Sequence, residues 1–530
     1  MTFKVLVSDP LAQDGIDLLQ SHNDVQVDVN TGLPPEELAK IIGEYDGLVI
    51  RSGTTVTADI LAKADKLKVI GRAGVGVDNV DLNAATQRGV IVMNTPGGNT
   101  ISTAEHSFAL LMSLARNISQ ANQSLREGRW DRKKYTGTEL FGKTLGIIGL
   151  GRVGREVGRR GLAFGMKVKG FDPFTSEDAM KKMGFEPATT DQVFESADFI
   201  TVHTPKTQDT THLIDDRAFA MMKKGVRIIN CARGGIVDEE ALLRALESGK
   251  CAGAALDVYE KEPPDADHPL VKSPDCICTP HLGASTEEAQ VNVAIDIARN
   301  VLDALTGVEV RNAVNIPSVS PELRAVLTPY LDLAEKLGMF AIQYLGKPLE
   351  KMEITYSGGL SEHDCGYLSL AVLKGMLSAI MGETVNFVNA PILAEQRNIS
   401  YTESKKAKSE SYANLITVKL TSDSETISVS GTKYSTGDSR IVKVNDYHIE
   451  AKPYGTILFF KNVDKPGTIG QLCLVLGKNN INIADMTLGR RDPNGYAVTV
   501  CNVDGAVPNP VLDELRATQH VKELKLIHLG

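Results

Sequence analysis

Along the first part of the chain, short apolar runs alternate with segments of helical period. Phe3–Val7, Val25–Val29, Gly47–Ile50, Leu67–Ile70 and Val90–Met93 have the length and character of buried strands. Between them, Asp14–Ser21 repeats at helical spacing. Pro34-Pro35 opens a further helix, because a first-turn residue needs no N–H. Strand and helix in alternation predict a parallel sheet covered on both faces. A turn-rich hinge, Thr95-Pro96-Gly97-Gly98, closes this module. The helix that follows, Ile101–Asn117, carries Leu110, Leu111 and Leu114 on one side. The alternation resumes with Leu145–Ile148, Val168–Phe171, Phe199–Val202, Val226–Asn230, Ala252–Leu256 and Ile277–Cys278. These runs predict a second, doubly wound sheet over 99–283. Helix Thr286–Leu305 is expected to return to the first module, which then comprises 1–98 and 284–317. Two chain crossings hinge a cleft between the sheets.

From 318 to 454 the texture becomes α+β. Leu323–Leu345 and Tyr367–Met381 read as helices, and Met352–Tyr356 as a strand. Leu415–Leu420, Thr426–Ser430 and Ile441–Val444 alternate as antiparallel strands do. Glu403–Glu410 reads as a solvated helix or loop. Residues 455–530 read as a separate unit. Strand Ile457–Lys461 leads through Asp464-Lys465-Pro466-Gly467 to a helix ending at Leu476. Strand Asn482–Leu488, turn Arg491–Gly495, strand Tyr496–Asn502, helix Val511–Thr518 and strand Val521–His528 follow. The order βαββαβ is the ferredoxin-like split pattern. It predicts one helix-covered face and edges open to a second copy.

Composition narrows the function. At 530 residues the chain has room for three to four domains of about 150 residues. A net charge of −9, with no long basic tract, excludes a nucleic-acid binder. No uncharged apolar stretch approaches a membrane span, and MTFKVLVSDP lacks a signal-peptide layout, so a cytoplasmic protein is expected. The seven cysteines are scattered and odd in number, and read as cytosolic thiols. Cys276 and Cys278 are read on opposite faces of one strand, which leaves no metal pair.

The chemistry gathers where the second sheet begins. Leu145–Ile148 ends in Gly149-Leu150-Gly151-Arg152-Val153-Gly154, a helical pattern follows, and the next strand stops on Asp172. This is the dinucleotide fingerprint. Gly149 permits the sharp turn, Gly151 the approach of a pyrophosphate, and Gly154 close packing of helix on strand. Asp172 suits ribose hydroxyls and repels a 2′-phosphate, so NAD is expected rather than NADP.

Arg233, Glu262 and His281 follow three successive strands of the same module, at the ends where such sheets bind ligands. A histidine suits abstraction of a hydroxyl proton, and a carboxylate on its other nitrogen fixes the tautomer. A guanidinium holds a carboxylate in bidentate fashion. Asp257 either faces the nicotinamide or caps a turn. Arg51 and Arg72, each just after a strand of the first module, either bind an anionic substrate or form bridges within the module. The basic knot Gly128–Lys134, around the only tryptophan, Trp130, is either a subunit contact or a solvated loop.

GLGRVG, HTPKTQDTTHLI, NCARGGIVDE, DVYEKEPP and TPHLGAST resemble the D-isomer-specific 2-hydroxyacid dehydrogenases. IRSGTTVT and IGRAGVGVDNVD resemble the branch of that family that acts on 3-phospho-D-glycerate. FFKNVDKPGTIGQL resembles an ACT domain, an amino-acid-binding regulatory module, and the stretch before it resembles the intervening allosteric, substrate-binding domain of long family members. The resemblance implies a Rossmann-type NAD domain, a flavodoxin-like discontinuous substrate domain, an α+β intervening domain and a ferredoxin-like ACT domain. It implies oxidation of 3-phospho-D-glycerate to 3-phosphooxypyruvate, the first committed step of L-serine synthesis.

Carried over by motif, Arg233, Glu262 and His281 are the catalytic residues. The cofactor set is Gly149, Gly151, Arg152, Val153, Gly154, Asp172, Thr204, Cys231, Ala232, Arg233, Asp257, His281, Gly283 and Ala284. Arg51, Arg72 and Gly74 join Arg233 and His281 as substrate contacts. L-serine as effector implies Asn462, Asp464 and Asn482 at a paired ACT interface, and the family implies a homotetramer. Two other readings stay open: a dehydrogenase of another 2-hydroxy acid, such as glycerate or a phosphorylated four-carbon acid, and a non-catalytic, NAD-binding corepressor. The ACT-like tail argues against the second.

Overall fold

The computed structural model describes residues 2–317, 319–382, 384–409, 411–422, 425–491 and 495–530. The first five apolar runs form one parallel sheet, in the order Val25–Val29, Phe3–Val7, Gly47–Ile50, Val69–Arg72, Ile91–Met93. Helix Glu287–Leu305 is capped by the Thr286 hydroxyl, which accepts the Ala289 N–H. It returns to this sheet and buries Ile297, Val301 and Leu305 with Val5, Val49 and Val69.

The second sheet has seven parallel strands: Cys276–Cys278, Cys251–Leu256, Val226–Asn230, Phe199–Val202, Thr144–Ile148, Lys167–Phe171 and Glu186–Pro187. The winding direction reverses between Phe199–Val202 and Thr144–Ile148, which leaves a crevice at the carboxyl ends of the strands. Helix Thr100–Arg116 stops at Asn117, whose φ of 53° is left-handed, and a second helix, Ile118–Arg126, begins there.

Cys276 and Cys278 share a face, contrary to the sequence reading. Alternate residues of a strand point the same way, and the two sulfurs stand 3.6 Å apart. Among the described residues no cluster of three or more His, Cys, Asp or Glu is arranged to hold a metal. No described helix is long and apolar enough to cross a membrane.

The third sheet runs Ser400–Lys406, Lys351–Gly358, Asn414–Ser422, Glu425–Lys433, Ser439–Val444, Tyr447–Ala451. The single helix expected over Leu323–Leu345 is interrupted. Helix Pro321–Leu327 gives way to a 3-10 turn, Thr328–Tyr330, before helix Leu331–Leu345. Pro329 has no N–H for the helical ladder, and its ring crowds the carbonyl four residues back. The stretch expected as a solvated helix or loop instead contributes Ser400–Lys406, an edge strand parallel to Lys351–Gly358 with all seven residues exposed. Ser318, at an expected module boundary, Glu410 and residues 492–494 of the expected turn lie outside the described residues.

The terminal sheet has the order Ile483–Arg490, Tyr496–Val503, Thr456–Val463, Val521–His528, all antiparallel, as βαββαβ predicts. Its packing is not that of a separate unit. Helices Thr468–Lys478 and Asn509–Ala517 cover one face through Leu472, Leu476 and Leu515. The other face buries Phe459, Val498, Val500 and Ile527 in the core of the preceding module. Phe459 meets Tyr344 edge-on, with ring centroids 4.9 Å apart. Both edge strands also touch the preceding module. Thr487 Oγ1 accepts the Glu450 N–H at 3.2 Å, and the His528 backbone exchanges two hydrogen bonds with the Gln343 amide at 2.8 and 2.9 Å. A four-stranded sheet with a single helical layer has an apolar face left over, and here the helix Leu331–Leu345 covers it.

Candidate active site

The glycine turn is built by its neighbours. Gly149 adopts φ 95°, and a Cβ there would stand 2.6 Å from the His203 carbonyl oxygen. A Cβ on Gly154 would stand 2.0 Å from the carbonyl of Gly149. Around Gly151 nothing lies within 4 Å, and helix Arg152–Ala163 begins there with no side-chain cap. Its first N–H groups, Arg152 and Val153 among them, are therefore left for an anion. Asp172 accepts the N–H groups of Leu150 and Phe174 at 2.7 and 2.8 Å, which fixes the turn against the next strand. Thr204 Oγ1 is buried without a hydrogen-bond partner at the end of the adjacent strand. An open Gly151, an uncapped helix start and an orphaned hydroxyl fit a dinucleotide.

At the ends of the next three strands the structure brings together Arg233, Glu262 and His281. Glu262 Oε2 lies 2.6 Å from His281 Nδ1, and Oε1 accepts the Tyr259 N–H at 3.1 Å. Partial burial alone would raise the Glu262 carboxyl. The His281 hydrogen bond, the Tyr259 N–H and the Arg233 charge outweigh it and hold the group below the usual range. His281 itself adopts φ 54° and leaves about half its side chain exposed to the cleft.

Ahead of it, Asn230 pins the 231–233 loop, accepting the Ala232 N–H at 3.0 Å and donating to the Arg233 carbonyl at 2.9 Å. Cys231 is buried, and burial pushes its thiol up to about 12, so it stays neutral. Arg233 reaches across the cleft to the first module, where its Nε donates to Asp78 Oδ2 at 3.2 Å.

Asp257 caps a turn. Its carboxylate is fully buried and accepts the Thr279 hydroxyl at 2.6 Å and the N–H groups of Leu282 and Gly283 at 2.7 and 2.8 Å, with His106 Nε2 at 3.2 Å. Burial opposes its charge, but these donors hold its pKa below the usual range. The Gly283 carbonyl accepts the hydroxyls of Ser102 and Thr103, so the His281–Ala284 loop is tied to the helix Thr100–Arg116.

On the first module, Asp9 Oδ2 accepts the N–H groups of Arg51 and Thr54 at 2.6 and 3.0 Å, and Asn79 donates to the carbonyls of both residues. The Arg51 guanidinium donates to the Pro10 carbonyl at 3.3 Å. Arg72 folds over Gly74, where any Cβ would meet its Nη1 at 1.6 Å. Its Nε is buried with no hydrogen-bond partner. Burial first, and then the Arg233 and Arg51 charges, lower its pKa to about 10. Three guanidinium groups thus crowd one cleft beside the His281–Glu262 pair.

Sequence reasoning missed Asp78, Asp9, Asn230 and His106. Only Asn230 carried a local signal, an Asx pattern at a strand end.

The three residues expected to bind an effector do not meet within one chain. Asn462 is buried, accepts the Thr499 hydroxyl at 3.2 Å and donates to the Val463 carbonyl. Asp464 lies 3.6 Å from Arg490 at that same end of the sheet. Asn482 donates to Asp504 at the opposite end. Asn462 aligns with Ala497 and Ile483 with Val503, so the ends are about 20 Å apart.

The chain is similar to known proteins over its whole length. Residues 108–283 match the model of the D-isomer specific 2-hydroxyacid dehydrogenase NAD-binding domain, 326–445 that of the D-3-phosphoglycerate dehydrogenase intervening domain, and 456–519 that of the ACT domain. The D-3-phosphoglycerate dehydrogenase of Methanocaldococcus jannaschii is 44% identical over 527 residues, covering 99% of this chain and 100% of that one. That of Bacillus subtilis is 44% identical over 528 residues, with the same coverage. A glyoxylate reductase from Paecilomyes thermophila superposes with a TM-score of 0.55 at 28% identity, covering 59% of this chain and 98% of that one. The chain belongs to the D-isomer-specific 2-hydroxyacid dehydrogenases, in the branch that joins the NAD-binding domain to an intervening and an ACT domain.

Proposed function

We propose that this chain oxidises 3-phospho-D-glycerate to 3-phosphooxypyruvate with NAD, the first committed step toward L-serine. One observation carries the choice of substrate: a half-buried Arg72 with a buried, unpartnered Nε, close to Arg51 and Arg233, opposite the His281–Glu262 pair. Three guanidinium groups, only partly countered by Asp78 and Asp9, suit an anionic ligand. Arg233 holds the substrate carboxylate, and Arg51 and Arg72 hold the phosphate beside Gly74. Glu262 keeps the proton on His281 Nδ1, which leaves Nε2 free to take the C2 hydroxyl proton. Bound NAD supplies the hydride acceptor. Gly149, Gly151, Arg152, Val153 and Gly154 cradle its pyrophosphate, Asp172 turns toward the ribose, and Thr204, Cys231, Ala232, Asp257, Gly283 and Ala284 line the rest of its site.

The module boundaries in this reading are 1–98 with 284–317, 99–283, 318–454 and 455–530. L-serine as effector requires two copies, because only two-fold pairing brings the Asn462–Asp464 end of one terminal sheet to the Asn482 end of another. A homotetramer in the cytoplasm belongs to the same reading, since a phosphorylated substrate does not cross a bilayer unaided.

NADH absorbance tests the activity. Turnover of 3-phospho-D-glycerate is expected at a kcat/KM at least about 100-fold above that of D-glycerate. Equal turnover of D-glycerate or D-lactate overturns the phosphate reading, and no turnover of any 2-hydroxy acid favours a corepressor. Serine regulation is best tested by Asn482→Ala in the full chain, because deleting the last module would expose the face that packs on Tyr344.

A further inference from the structure

Of the seven cysteines, Cys231, Cys251, Cys365 and Cys501 are buried, and Cys473, in the terminal module, has only the buried Cys501 near it. Cys276 and Cys278 remain. Both are partly exposed, they share one face of a three-residue strand, and their sulfurs are 3.6 Å apart. That strand is the edge of the seven-stranded sheet, paired only to Cys251–Leu256, and three residues beyond it stands His281. We propose that Cys276 and Cys278 form a reversible dithiol switch, closed to a disulfide by a hydroperoxide, that moves His281 off Glu262.

The geometry allows closure. Alternate Cα atoms of a strand lie about 6.6 Å apart, at the upper limit for a disulfide, and because the Cβ atoms must come to about 3.8 Å and the sulfurs to about 2.05 Å, closure shortens the strand at Ile277. The strand has one neighbour to hold it, so a kink at Ile277 breaks few hydrogen bonds. The two thiols are also unequal. The Cys278 thiol donates to Cys276 Sγ at 3.6 Å and to the Leu270 carbonyl at 3.7 Å, and the contact with Cys276 holds it below its ordinary range against partial burial. The same contact, together with burial, pushes Cys276 up. On that order Cys278 attacks and Cys276 resolves, and the disulfide formed is the same if the roles exchange.

The Cys278 thiolate attacks one peroxide oxygen, the O–O bond breaks and one water leaves, giving a sulfenic acid. The Cys276 sulfur then attacks Cys278 Sγ, the S–S bond forms and a second water leaves. Two thiols and one hydrogen peroxide thus give one disulfide and two waters.

The consequence reaches the active site through Thr279. Its N–H donates to the Leu256 carbonyl at 2.9 Å, its hydroxyl to Asp257 at 2.6 Å, and its carbonyl accepts the Tyr259 hydroxyl at 3.0 Å and the His281 N–H at 3.1 Å. Shortening the strand just before Thr279 disturbs all four bonds and with them the 2.6 Å contact between His281 and Glu262.

The test treats the full-length protein with hydrogen peroxide, alkylates it, and weighs the tryptic peptide 273–299, which holds both cysteines and no third. The peptide is expected to lose two hydrogens and take up no alkyl group, while kcat falls about 10- to 100-fold, the scale of an ångström-level misplacement. Dithiothreitol restores both. Cys276→Ser and Cys278→Ser each keep basal activity and resist peroxide, and if one fails to fold the other decides the matter. A peptide that remains fully alkylated, or gains oxygen, while activity falls overturns the switch. So does a disulfide that forms without changing kcat.

Discussion

The two parallel sheets present opposite kinds of polar group to the cleft. At the carboxyl end of the seven-stranded sheet, charges arrive already satisfied: His281 has Glu262, and Asp257 has four donors. At the carboxyl end of the five-stranded sheet, Arg72 is half-buried with its Nε buried and unmet, and the charges around it are Arg233 and Arg51, countered in part by Asp78 and Asp9. The difference separates two tasks. A group that must transfer a proton is held in one tautomer before substrate arrives, because orientation set in advance costs nothing at the moment of reaction. A group that must bind an anion is left wanting one, because an unmet buried cation gains most from it. Asp78 is the exception that joins the two sheets. Its exposed carboxylate sits on Arg233, where the substrate carboxylate is proposed to go.

The largest expected effect is on the satisfied side. His281→Ala is expected to lower kcat about 10³- to 10⁴-fold while NADH binding, followed by fluorescence, changes less than about twofold. A loss of NADH affinity as large as the loss of turnover would make His281 a cofactor residue rather than a base. On the unsatisfied side, Arg72→Met is expected to raise KM about 100-fold and also to raise the melting temperature of the substrate-free protein. The second effect has the opposite sign because a half-buried cation with a buried, unmet Nε carries a desolvation cost that methionine does not. An anion such as inorganic phosphate should stabilise the native protein and not the variant. Burial and the Arg233 charge lower the Arg72 pKa, which marks how poorly its charge is met before an anion binds.

Glu262→Gln comes next, with kcat expected to fall about 10- to 100-fold at unchanged KM. The amide keeps the shape but turns a charged acceptor into a neutral one, and Tyr259 N–H still holds it in place. A larger loss than that of His281→Ala would mean the carboxylate itself touches substrate.

Much of this contrast is legible in the chain. Strands buried on both faces are unbroken apolar runs, such as Val226–Asn230, and the residue after each run lands at the carboxyl edge of the sheet. Arg233, Glu262 and His281 are thus placed by local pattern alone. What the pattern hides is non-local. Asp78 meets Arg233 over 155 positions, and no spacing rule connects them. The strand Ser400–Lys406 has no buried face and so no alternation to reveal it. The covered face of the terminal sheet was invisible for a related reason: its apolar residues look the same whether a second copy or the helix Leu331–Leu345 lies on them. Cys276 and Cys278 are a different case, since strand period alone puts them on one face.

Arg51 offers the smallest test and the one that sharpens the comparison most. It belongs to the unsatisfied side by position, yet it is partly satisfied. Its guanidinium already donates to the Pro10 carbonyl, and its backbone is clamped through Asp9 and Asn79. Side-chain truncation leaves that clamp intact, because the clamp uses only main-chain atoms of Arg51. Arg51→Ala is therefore expected to raise KM only about 3- to 10-fold, to leave kcat unchanged, and to lose part of its effect as ionic strength rises, since solvent-exposed charges are screened over about 10 Å at 0.1 M salt. Arg72→Met should lose less of its effect in the same salt series, because its Nε is buried. If the two variants respond to salt alike, burial is not what distinguishes the anchors, and the difference between the sheets lies in the number of their charges rather than in how each charge is held.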